Sequence, residues 1–359
     1  MGRRGCATPP RVKILVTGAG GFVGGAIVQR LVAAGDDVHA LVRSDEAARR
    51  AEAVGAQPFR GSIGDPNDVA TAARSCRLAV HAAAITSHRA SPRALSWTNV
   101  AGTENVLRAA RHVGLARIVH VSCADVTLGG EDRHGWIEDR LPEGPLLDAH
   151  ARSKRLAEDL ALSAPGLEVC AVRPPLIWGA GDTTTLPALC AEALARGGLP
   201  LFGDGRNVVA AVHLDNLVDA IVAALDASDV AGRAWHVADA EFLDAGEFYG
   251  MISRAAGLPP PRPGSLPLPL SFFLASMRAR VGGRGPWPTD LARRALSCQL
   301  DVSRATRDLG WSARVTVEEG MASLATWVAA EGGAAALAAR VRPPADDASV
   351  AAQIRAAAR

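Results

Sequence analysis

The sequence predicts an α/β protein in which a doubly wound parallel sheet is followed by a smaller, loop-rich domain. Short apolar strand patterns alternate with longer helix patterns as far as Arg173, a glycine-rich turn follows the first strand, and prolines and glycines become frequent afterwards. Strands joined by connections long enough to hold a helix pair in parallel. Parallel sheets need helices on both faces, which gives the doubly wound arrangement.

The first half of the chain contains six strand patterns and four helix patterns. Short runs with apolar residues predict strands over residues 12–16, 38–42, 78–84, 117–122 and 169–173, and residues 56–60 predict a weaker one. Apolar residues at helical spacing predict helices over residues 22–34, 47–53, 95–113 and 151–162. The first domain is therefore built largely from consecutive strand and helix units.

The change of pattern after Arg173 sets the expected domain boundaries. We expect residues 11–178 to form the first domain, with residues 212–240 returning to it. Residues 179–211 and 241–328 then form the smaller second domain. The remaining segment, 329–359, is alanine-rich and of low complexity, which predicts a helical or disordered tail.

Charge and cysteine content exclude several functions. Lysine and arginine total 39 and aspartate and glutamate 37, whereas a protein that binds nucleic acid usually carries a basic excess. The six cysteines are dispersed without a CxxC pair, so we expect no metal site, no disulfide framework and a cytoplasmic location. The apolar run at residues 266–275 is too short to span a membrane.

The sharpest motif is glycine-rich and lies between the first strand and the first helix. Its residues are Thr17, Gly18, Ala19, Gly20, Gly21, Phe22, Val23 and Gly24. Gly18 permits a tight turn, Gly21 lets the backbone approach a pyrophosphate, and Gly24 lets the helix pack close to the sheet. Amide groups at the helix start favour an anion. The motif predicts a Rossmann dinucleotide-binding domain, which leaves the second domain to bind the substrate.

The end of the second strand distinguishes between the two nicotinamide dinucleotides. An acidic residue there would hydrogen-bond the ribose 2′-hydroxyl of NAD, but the sequence reads Val42-Arg43. An arginine can clamp a 2′-phosphate through two hydrogen bonds. Arg43 therefore predicts NADP(H), although a solvent-exposed arginine would look the same. Arg49 and Arg50 could assist it or could face solvent.

Six further motifs follow in order along the chain. They are Val80-His81-Ala82-Ala83-Ala84, Asn99-Val100-Ala101-Gly102-Thr103, Arg173-Pro174-Pro175-Leu176-Ile177-Trp178-Gly179, Val212-His213-Leu214-Asp215-Asn216, Leu309-Gly310-Trp311 and Glu318-Glu319-Gly320. In this order they resemble the extended short-chain dehydrogenases/reductases, of the epimerase, dihydroflavonol-reductase and 3β-hydroxysteroid-dehydrogenase type. The resemblance covers residues 12–327.

The resemblance implies further cofactor contacts and a reaction at a carbonyl group. The implied cofactor positions are Ser62, Ile63, Ala82, Ala83, Ala84, Asn99, Lys154, Pro174 and Ile177. In the family, the nicotinamide carries a hydride and a tyrosine delivers a proton. That tyrosine lies four residues before a lysine on one helix face, and a serine or threonine orients the carbonyl.

This sequence departs from the catalytic pattern that the resemblance implies. Lys154 matches the family's lysine, but the tyrosine position is His150, and the only tyrosine in the chain is Tyr249. The serine position is Ser122 or Cys123, depending on a shift of one residue. We therefore expect the catalytic set to be Lys154, Ser122 and His150, without a tyrosine.

The source of the carbonyl proton is open at this stage. His150 could act as a general acid or only hold position, because Lys154 one turn away would disfavour an imidazolium. Tyr249 lies in a helical stretch where its spacing suits packing, and the hydroxyl of Ser122 suits holding an oxyanion. The substrate could instead carry its own acidic proton, for instance a phenol beside the ketone.

These features predict an NADPH-dependent ketoreductase that acts on a hydrophobic small-molecule ketone. The frequent use of alanine and arginine is typical of GC-rich bacteria. For such bacteria, the resemblance implies that the substrate is an aromatic polyketide of antibiotic biosynthesis, such as an angucyclinone. Trp97, Trp136 and Trp178 would suit a flat substrate or simply pack. The alternatives are an inactive NADP(H)-binding sensor or scaffold and, among enzymes, a steroid dehydrogenase. Monomer and homodimer are both open.

Overall fold

The computed structural model describes residues 12–88, 90–264, 267–280 and 288–341. The start of the expected first domain and most of the expected tail lie outside these ranges. The strands of the described residues are β1 (Lys13–Thr17), β2 (Asp37–Val42), β3 (Gln57–Arg60), β4 (Leu78–His81), β5 (Arg117–Val121), β6 (Arg133–Trp136), β7 (Glu168–Arg173), β8 (Leu176–Trp178), β9 (Val208–Val209), β10 (Ala211–His213), β11 (Ala234–His236), β12 (Leu243–Asp244) and β13 (Cys298–Leu300).

Helices separate most of these strands. They are α1 (Phe22–Ala33), α2 (Asp45–Ala53), α3 (Pro66–Ala73), α4 (Pro92–Leu95), α5 (Gly102–Val113), α6 (Ala149–Leu162), α7 (Thr185–Arg196), α8 (Leu214–Asp226), α9 (Ala245–Ala255), α10 (Leu268–Arg280), α11 (Pro288–Ala295), α12 (Ser303–Leu309), α13 (Val317–Ala330) and α14 (Gly333–Ala338). A π-helical segment, Ser96–Ala101, joins α4 to α5, and a short 3₁₀ turn, Ala124–Thr127, follows β5.

Seven strands form one fully parallel sheet in the order β11-β7-β5-β4-β1-β2-β3. β1 lies between β2 and β4, with Leu15 opposite His39 on one side and Ala79 on the other. The strand order reverses at β1, and the loops that leave β1 and β4 open a crevice at the carboxyl edge of the sheet. The predicted doubly wound α/β fold is confirmed, and this crevice positions the site.

Helices cover both faces of the sheet. α1 and α8 pack against each other on one face, around buried residues such as Leu31 and Ile221. α3 and α5 pack together on the opposite face, around Val69 and Leu107. Because α8 and β11 come from the segment after β10, the chain returns to the first domain there and adds the outermost strand of the sheet.

A second hydrophobic core lies among α7, α9, α13 and α14. Trp178, Phe248, Tyr249 and Leu324 belong to it. α14 packs against α7, and its Leu337 is fully buried. α13 runs across the boundary expected after residue 328, so the first part of the alanine-rich segment contributes to this core.

Several elements differ from the sequence patterns. β4 ends at His81, because residues 82–84 leave the sheet to form a loop. The long helix expected over 95–113 begins earlier, where Pro92 occupies the first turn and Ser91 caps it, and the π-helical segment interrupts it. α3 was not predicted, although Asp65 and a following proline are typical of a helix start. Among the described residues, no helix combines the length and apolarity needed to cross a membrane.

Candidate active site

The glycine-rich turn directly precedes the first turn of α1. Gly18 adopts φ of 72°, and a Cβ there would lie 2.7 Å from the backbone nitrogen of Ala83, so only glycine fits. The N–H of Gly21 donates to the carbonyl of Gly18 over 2.9 Å. Gly21 caps α1 without any side-chain hydrogen bond, which leaves the first-turn amide groups available to an anion. The turn therefore fits a dinucleotide pyrophosphate.

A buried hydrogen-bond chain connects this turn to the π-helical segment. The N–H of Ala83 donates to Oγ1 of Thr17, which lies 2.7 Å from Nδ1 of His81. On the other side of the ring, Nε2 lies 3.0 Å from Oγ1 of Thr103, which donates to the carbonyl of Asn99 over 2.6 Å. Burial, with a smaller contribution from the charge of Lys154, lowers the pKa of His81 to about 3. The imidazole is therefore neutral, with its proton on Nε2, where Thr103 can accept it.

The predicted adenosine end of the crevice carries exposed arginines. Arg43 follows β2 with its side chain exposed, and within the described ranges it forms no ion pair. Arg50 donates to the carbonyl of Gly20 over 3.3 Å, so this arginine reaches the glycine-rich turn. In the loop after β3, the N–H of Ser62 donates to Oδ2 of Asp68, and the hydroxyl oxygen of Ser62 accepts from the N–H of Gly64. Ser62 therefore shapes the loop after β3.

Lys154 and Asn99 are buried together at the carboxyl edge of the sheet. Lys154 is 4 % exposed, and its Nζ donates to the carbonyl of Val121 over 2.7 Å. Burial lowers the pKa of Lys154. Asn99 exchanges hydrogen bonds with the backbone of Ile85 at 2.8 and 3.1 Å and donates to Oγ of Ser153 over 3.0 Å. These contacts anchor α6 between the loops that follow β4 and β5.

Ser122 and Cys123 follow β5 on opposite sides of an extended backbone. The N–H of Ser122 donates to the carbonyl of Val172, but its buried hydroxyl has no hydrogen-bond partner among the described residues. Burial and the charge of Asp125 raise the pKa of the Cys123 thiol to about 12, so it stays protonated. Cys123 and Glu158 both interact electrostatically with Lys154. Ser122 thus offers a free hydroxyl, whereas Cys123 interacts with Lys154.

His150, which the sequence resemblance matches to the tyrosine position, lies on the first turn of α6. It is 4 % exposed, and neither ring nitrogen has a hydrogen-bond partner in the described part of the chain. Burial and the charge of His88 lower its pKa to about 3, whereas Lys154, which the sequence spacing emphasised, has the smallest effect. His150 is therefore neutral near pH 7 and can donate a hydrogen bond but is a poor acid.

A polar cluster that the sequence did not indicate surrounds His150. We call it the His88 cluster, and its members are His88, Asp125, Asp148, His150 and Arg293. Arg293 of α11 donates to Oδ2 of Asp125 at 3.1 and 2.9 Å and to Oδ2 of Asp148 at 3.1 Å. Nδ1 of His88 lies 3.3 Å from Oδ2 of Asp148, and the rings of His88 and His150 meet edge to face, 4.4 Å apart.

The carboxylates of the His88 cluster are ionised. Burial would raise the pKa of Asp125, but Arg293 and the two histidines hold it at about 2. Burial likewise opposes ionisation of Asp148, yet its pKa is held well below the usual range by His88, Arg293 and the N–H of Ala151. Asp148 also begins α6, because it accepts that N–H at 2.6 Å. This capping position was the one signal of the cluster in the sequence.

The remaining predicted residues serve mainly structural roles. Pro174 accepts the N–H of Ala124 over 2.8 Å, and Ile177 pairs with Val212 between β8 and β10. Tyr249 packs beside Phe248 in the second core.

Two of the tryptophans and His213 also bind protein groups. Trp136 and Trp178 are buried, and their indole nitrogens donate to the carbonyl of Arg140 and to Asp239. His213 caps α8 and receives the N–H of Asp215. Trp97 instead lies beside Gly64, and its buried indole nitrogen has no hydrogen-bond partner among the described residues.

Comparison with known proteins supports the same arrangement. The sequence pattern of the NAD dependent epimerase/dehydratase family matches residues 14–238. The 4-hydroxy-2-methyl-3-oxo-4-farnesyl-3,4-dihydroquinoline-1-oxide ketoreductase of Stigmatella aurantiaca is 32% identical over 328 residues, 87% of this chain and 96% of that protein. The 2-alkyl-3-oxoalkanoate reductase of Stenotrophomonas maltophilia is 33% identical over 339 residues, 89% of this chain and 100% of that protein.

A solved structure has the same architecture. The dTDP-glucose 4,6-dehydratase of Streptomyces venezuelae, crystallised with NAD, is 26% identical with a TM-score of 0.70, and the match covers 89% of this chain and 98% of that one. The family pattern spans more than half of the chain, and two relatives exceed 30% identity over most of it. The chain therefore belongs to the NAD dependent epimerase/dehydratase family, the extended short-chain dehydrogenases/reductases.

Proposed function

We propose that the protein is an NADPH-dependent ketoreductase. The observation that carries this proposal is the buried pair of Lys154 and Asn99, held at the carboxyl edge of the sheet beside a turn that fits a pyrophosphate. A buried ammonium there can hold the nicotinamide ribose and also stabilise negative charge that develops on a carbonyl oxygen. The names of the two relatives, both reductases of oxo compounds, support the same reaction.

The protein's own residues would bind and orient the reactants. A bound nicotinamide dinucleotide would supply the hydride. The amide groups of Gly21 and the first turn of α1 would hold the pyrophosphate, and Lys154 would hold the nicotinamide ribose. The free hydroxyl of Ser122 and a neutral His150 offer hydrogen bonds to a carbonyl oxygen, and such donors stabilise negative charge that develops on it.

The proposed cofactor is NADP(H) rather than NAD(H). Arg43 lies at the position that contacts the adenosine ribose in this fold, with its guanidinium exposed and unpaired within the described residues. The end of β2, Val42, offers no carboxylate to the 2′-hydroxyl. Asp45 cannot easily substitute, because Arg60 pairs with it at 3.3 Å.

The proposed substrate is a ketone on a flat, hydrophobic, aromatic polyketide-like ring system. The Stigmatella aurantiaca relative is named for an oxo group on a dihydroquinoline that also carries a farnesyl chain. The Stenotrophomonas maltophilia relative is named for oxoalkanoates with an alkyl branch. Both named substrates are oxo compounds with a large apolar part. Since α6 carries no tyrosine, the proton on the product oxygen comes from another group.

Consumption of NADPH with a panel of ketones tests this function. The panel would compare flat phenolic ketones, flat ketones without a phenol, a 3-ketosteroid and simple alkyl ketones. We expect turnover with the flat aromatic ketones. Tight binding of NADPH without oxidation by any ketone would instead support a cofactor-binding sensor, and preference for the steroid would support a steroid dehydrogenase.

A further inference from the structure

We propose that His88, oriented by Asp148, is the proton donor of the active site. The proposal rests on the proposed reductase function, because it names the group that protonates the carbonyl oxygen. His88 lies in the loop after β4, at the carboxyl edge of the sheet. Its ring meets the ring of His150 edge to face, with 4.4 Å between the centroids. The imidazole therefore lies directly beside the side chain at the tyrosine position.

The orientation of the ring suits proton transfer. Nδ1 of His88 is buried and lies 3.3 Å from Oδ2 of Asp148. The two atoms are within ion-pair distance, but their geometry is not that of a hydrogen bond. The side chain is 25% exposed, and that exposed part does not include Nδ1. The far edge of the ring, which carries Nε2, is thus the part that can meet a substrate and regain a proton from water.

Charged side chains surround the ring of His88. Four titratable groups face it: Asp148 and His150 from α6, Asp125 from the turn after β5, and Arg293 from α11. Asp125 and Asp148 are ionised, Arg293 carries one positive charge, and His150 is neutral. Two negative charges and one positive charge therefore leave one negative charge beside the ring of His88.

The other members of the His88 cluster cannot readily give a proton. The guanidinium of Arg293 is held by both carboxylates, which raise its pKa. Burial keeps His150 in its neutral form, and the carboxylates are already deprotonated. Among the described members of this cluster, His88 alone combines an accessible ring with a neighbouring carboxylate.

The proposed step is balanced in protons and electrons. A bound reduced nicotinamide would supply the hydride for the new C–H bond at the carbonyl carbon, and the carbonyl π electrons would move to oxygen. The proton on Nε2 of His88 forms the O–H bond, so the products are an alcohol, the oxidised nicotinamide and a neutral imidazole. Water then reprotonates the exposed edge of the ring. Asp148 retains its charge and acts as a positioning residue.

Replacement of His88 by alanine, followed by chemical rescue, is the first test. We expect His88→Ala to lower kcat by about 10²-fold, the range for a lost general acid, and added imidazole to restore much of that loss. His112→Ala, a change at an exposed histidine of α5, is the matched control and should leave kcat unchanged. Wild-type kcat in His88→Ala, or a loss that imidazole does not rescue, would overturn the proposal.

A pH profile separates proton donation from packing. Wild-type kcat should fall with rising pH, and Asp148→Asn should move that fall to lower pH because the imidazolium loses its carboxylate. The same assay with EDTA tests a bound cation, since ligand atoms of His88, Asp125 and His150 lie within 4.8 Å of one another. Loss of turnover with EDTA, restored by zinc, would overturn proton donation by His88.

Nitrogen-15 NMR of the histidine side chains tests the assignment without any turnover. We expect the His88 ring signals to titrate at a lower pH in Asp148→Asn than in the wild type. Identical titration in the two proteins would overturn the pairing. If wild-type protein binds NADPH but reduces no ketone, the reductase function fails, whereas the NMR result still decides the state of His88.

Discussion

Lys154 donates a hydrogen bond from Nζ to the carbonyl oxygen of Val121 over 2.7 Å. This bond joins the first half of α6 to the end of β5 and brings a buried ammonium to the crevice edge of the sheet. Asn99 reaches the same helix through Ser153. The two side chains therefore fix α6 in position beside the crevice where the dinucleotide would bind.

Removal of this ammonium should impair both cofactor binding and turnover. We expect Lys154→Met to lower kcat/KM for the ketone on the order of 100-fold, because a preorganised cationic donor is lost, and to weaken NADPH binding. Arg155→Met is the control on the same helix, since Arg155 pairs at the surface with Asp159. Stopped-flow NADPH oxidation measures the rates. An unimpaired Lys154→Met variant would show that the buried lysine is only structural.

Arg43 should decide between the two dinucleotides. We expect Arg43→Ala to raise the Kd for NADPH about 10-fold or more, as for a lost charge-assisted hydrogen bond, and to leave the Kd for NADH unchanged. Arg108→Ala is the control, because Arg108 is an exposed arginine on α5 that pairs with Glu104 and has no proposed cofactor contact. Fluorescence titration with both cofactors gives the constants. Equal use of NADH and NADPH by the wild type would contradict the assignment of NADP(H).

Arg293 should contribute strongly to stability. In Arg293→Met the two buried carboxylates of Asp125 and Asp148 lose their shared partner, and we expect the free energy of unfolding to fall by about 3 kcal/mol. The exposed pair of Arg30 and Asp219 is the matched control, and Arg30→Met should cost less than about 1 kcal/mol. Urea denaturation followed by circular dichroism measures both. Equal losses in the two variants would refute the buried pairing.

His120 should make the folded state sensitive to acid. The ring is 2% exposed, neither nitrogen has a partner among the described residues, and burial lowers its pKa well below 6.5. Below pH 6.5 the unfolded chain therefore binds a proton that the folded protein does not. Its contribution to the free energy of unfolding falls by up to about 1.4 kcal/mol per pH unit as the pH decreases.

His120→Leu should remove that part of the pH dependence. We expect the variant to lose less stability than the wild type between pH 6.5 and pH 5, in urea titrations at each pH. His112→Leu changes an exposed histidine and should leave the slope unaltered. If His120→Leu and the wild type lose stability in parallel, the buried imidazole is not the acid-sensitive group.

The sequence predicted those parts of the site that are formed by residues close together along the chain. The turn at Gly18 and the start of α1 follow from one short motif, since strand, turn and helix are consecutive there. Lys154 was found because its helix has a regular apolar pattern and the family motif fixes its position. The end of β4 was placed three residues late, because Ala82 and its neighbours are apolar in the loop as well.

The His88 cluster could not be predicted from the sequence because its members are distant along the chain. His88 and Arg293 meet across Asp148 only after α11 packs over the start of α6. No periodicity links these positions, and Asp148 alone carries a local signal, as the residue that caps a helix. Leu337 could not be predicted as a core residue either. Its alanine-rich segment indicated low complexity, yet Leu337 is fully buried in the second core.

The central claim is that this chain reduces a ketone with NADPH although its only tyrosine lies outside the site. Tyr249→Phe tests it most directly, because Tyr249 packs on α9 in the second core. The measurement is the rate of NADPH consumption by wild type and variant with a flat aromatic ketone. We expect turnover by both proteins at the same rate. Absence of turnover in the wild type despite bound NADPH, or its loss in Tyr249→Phe with the fold intact, would contradict it.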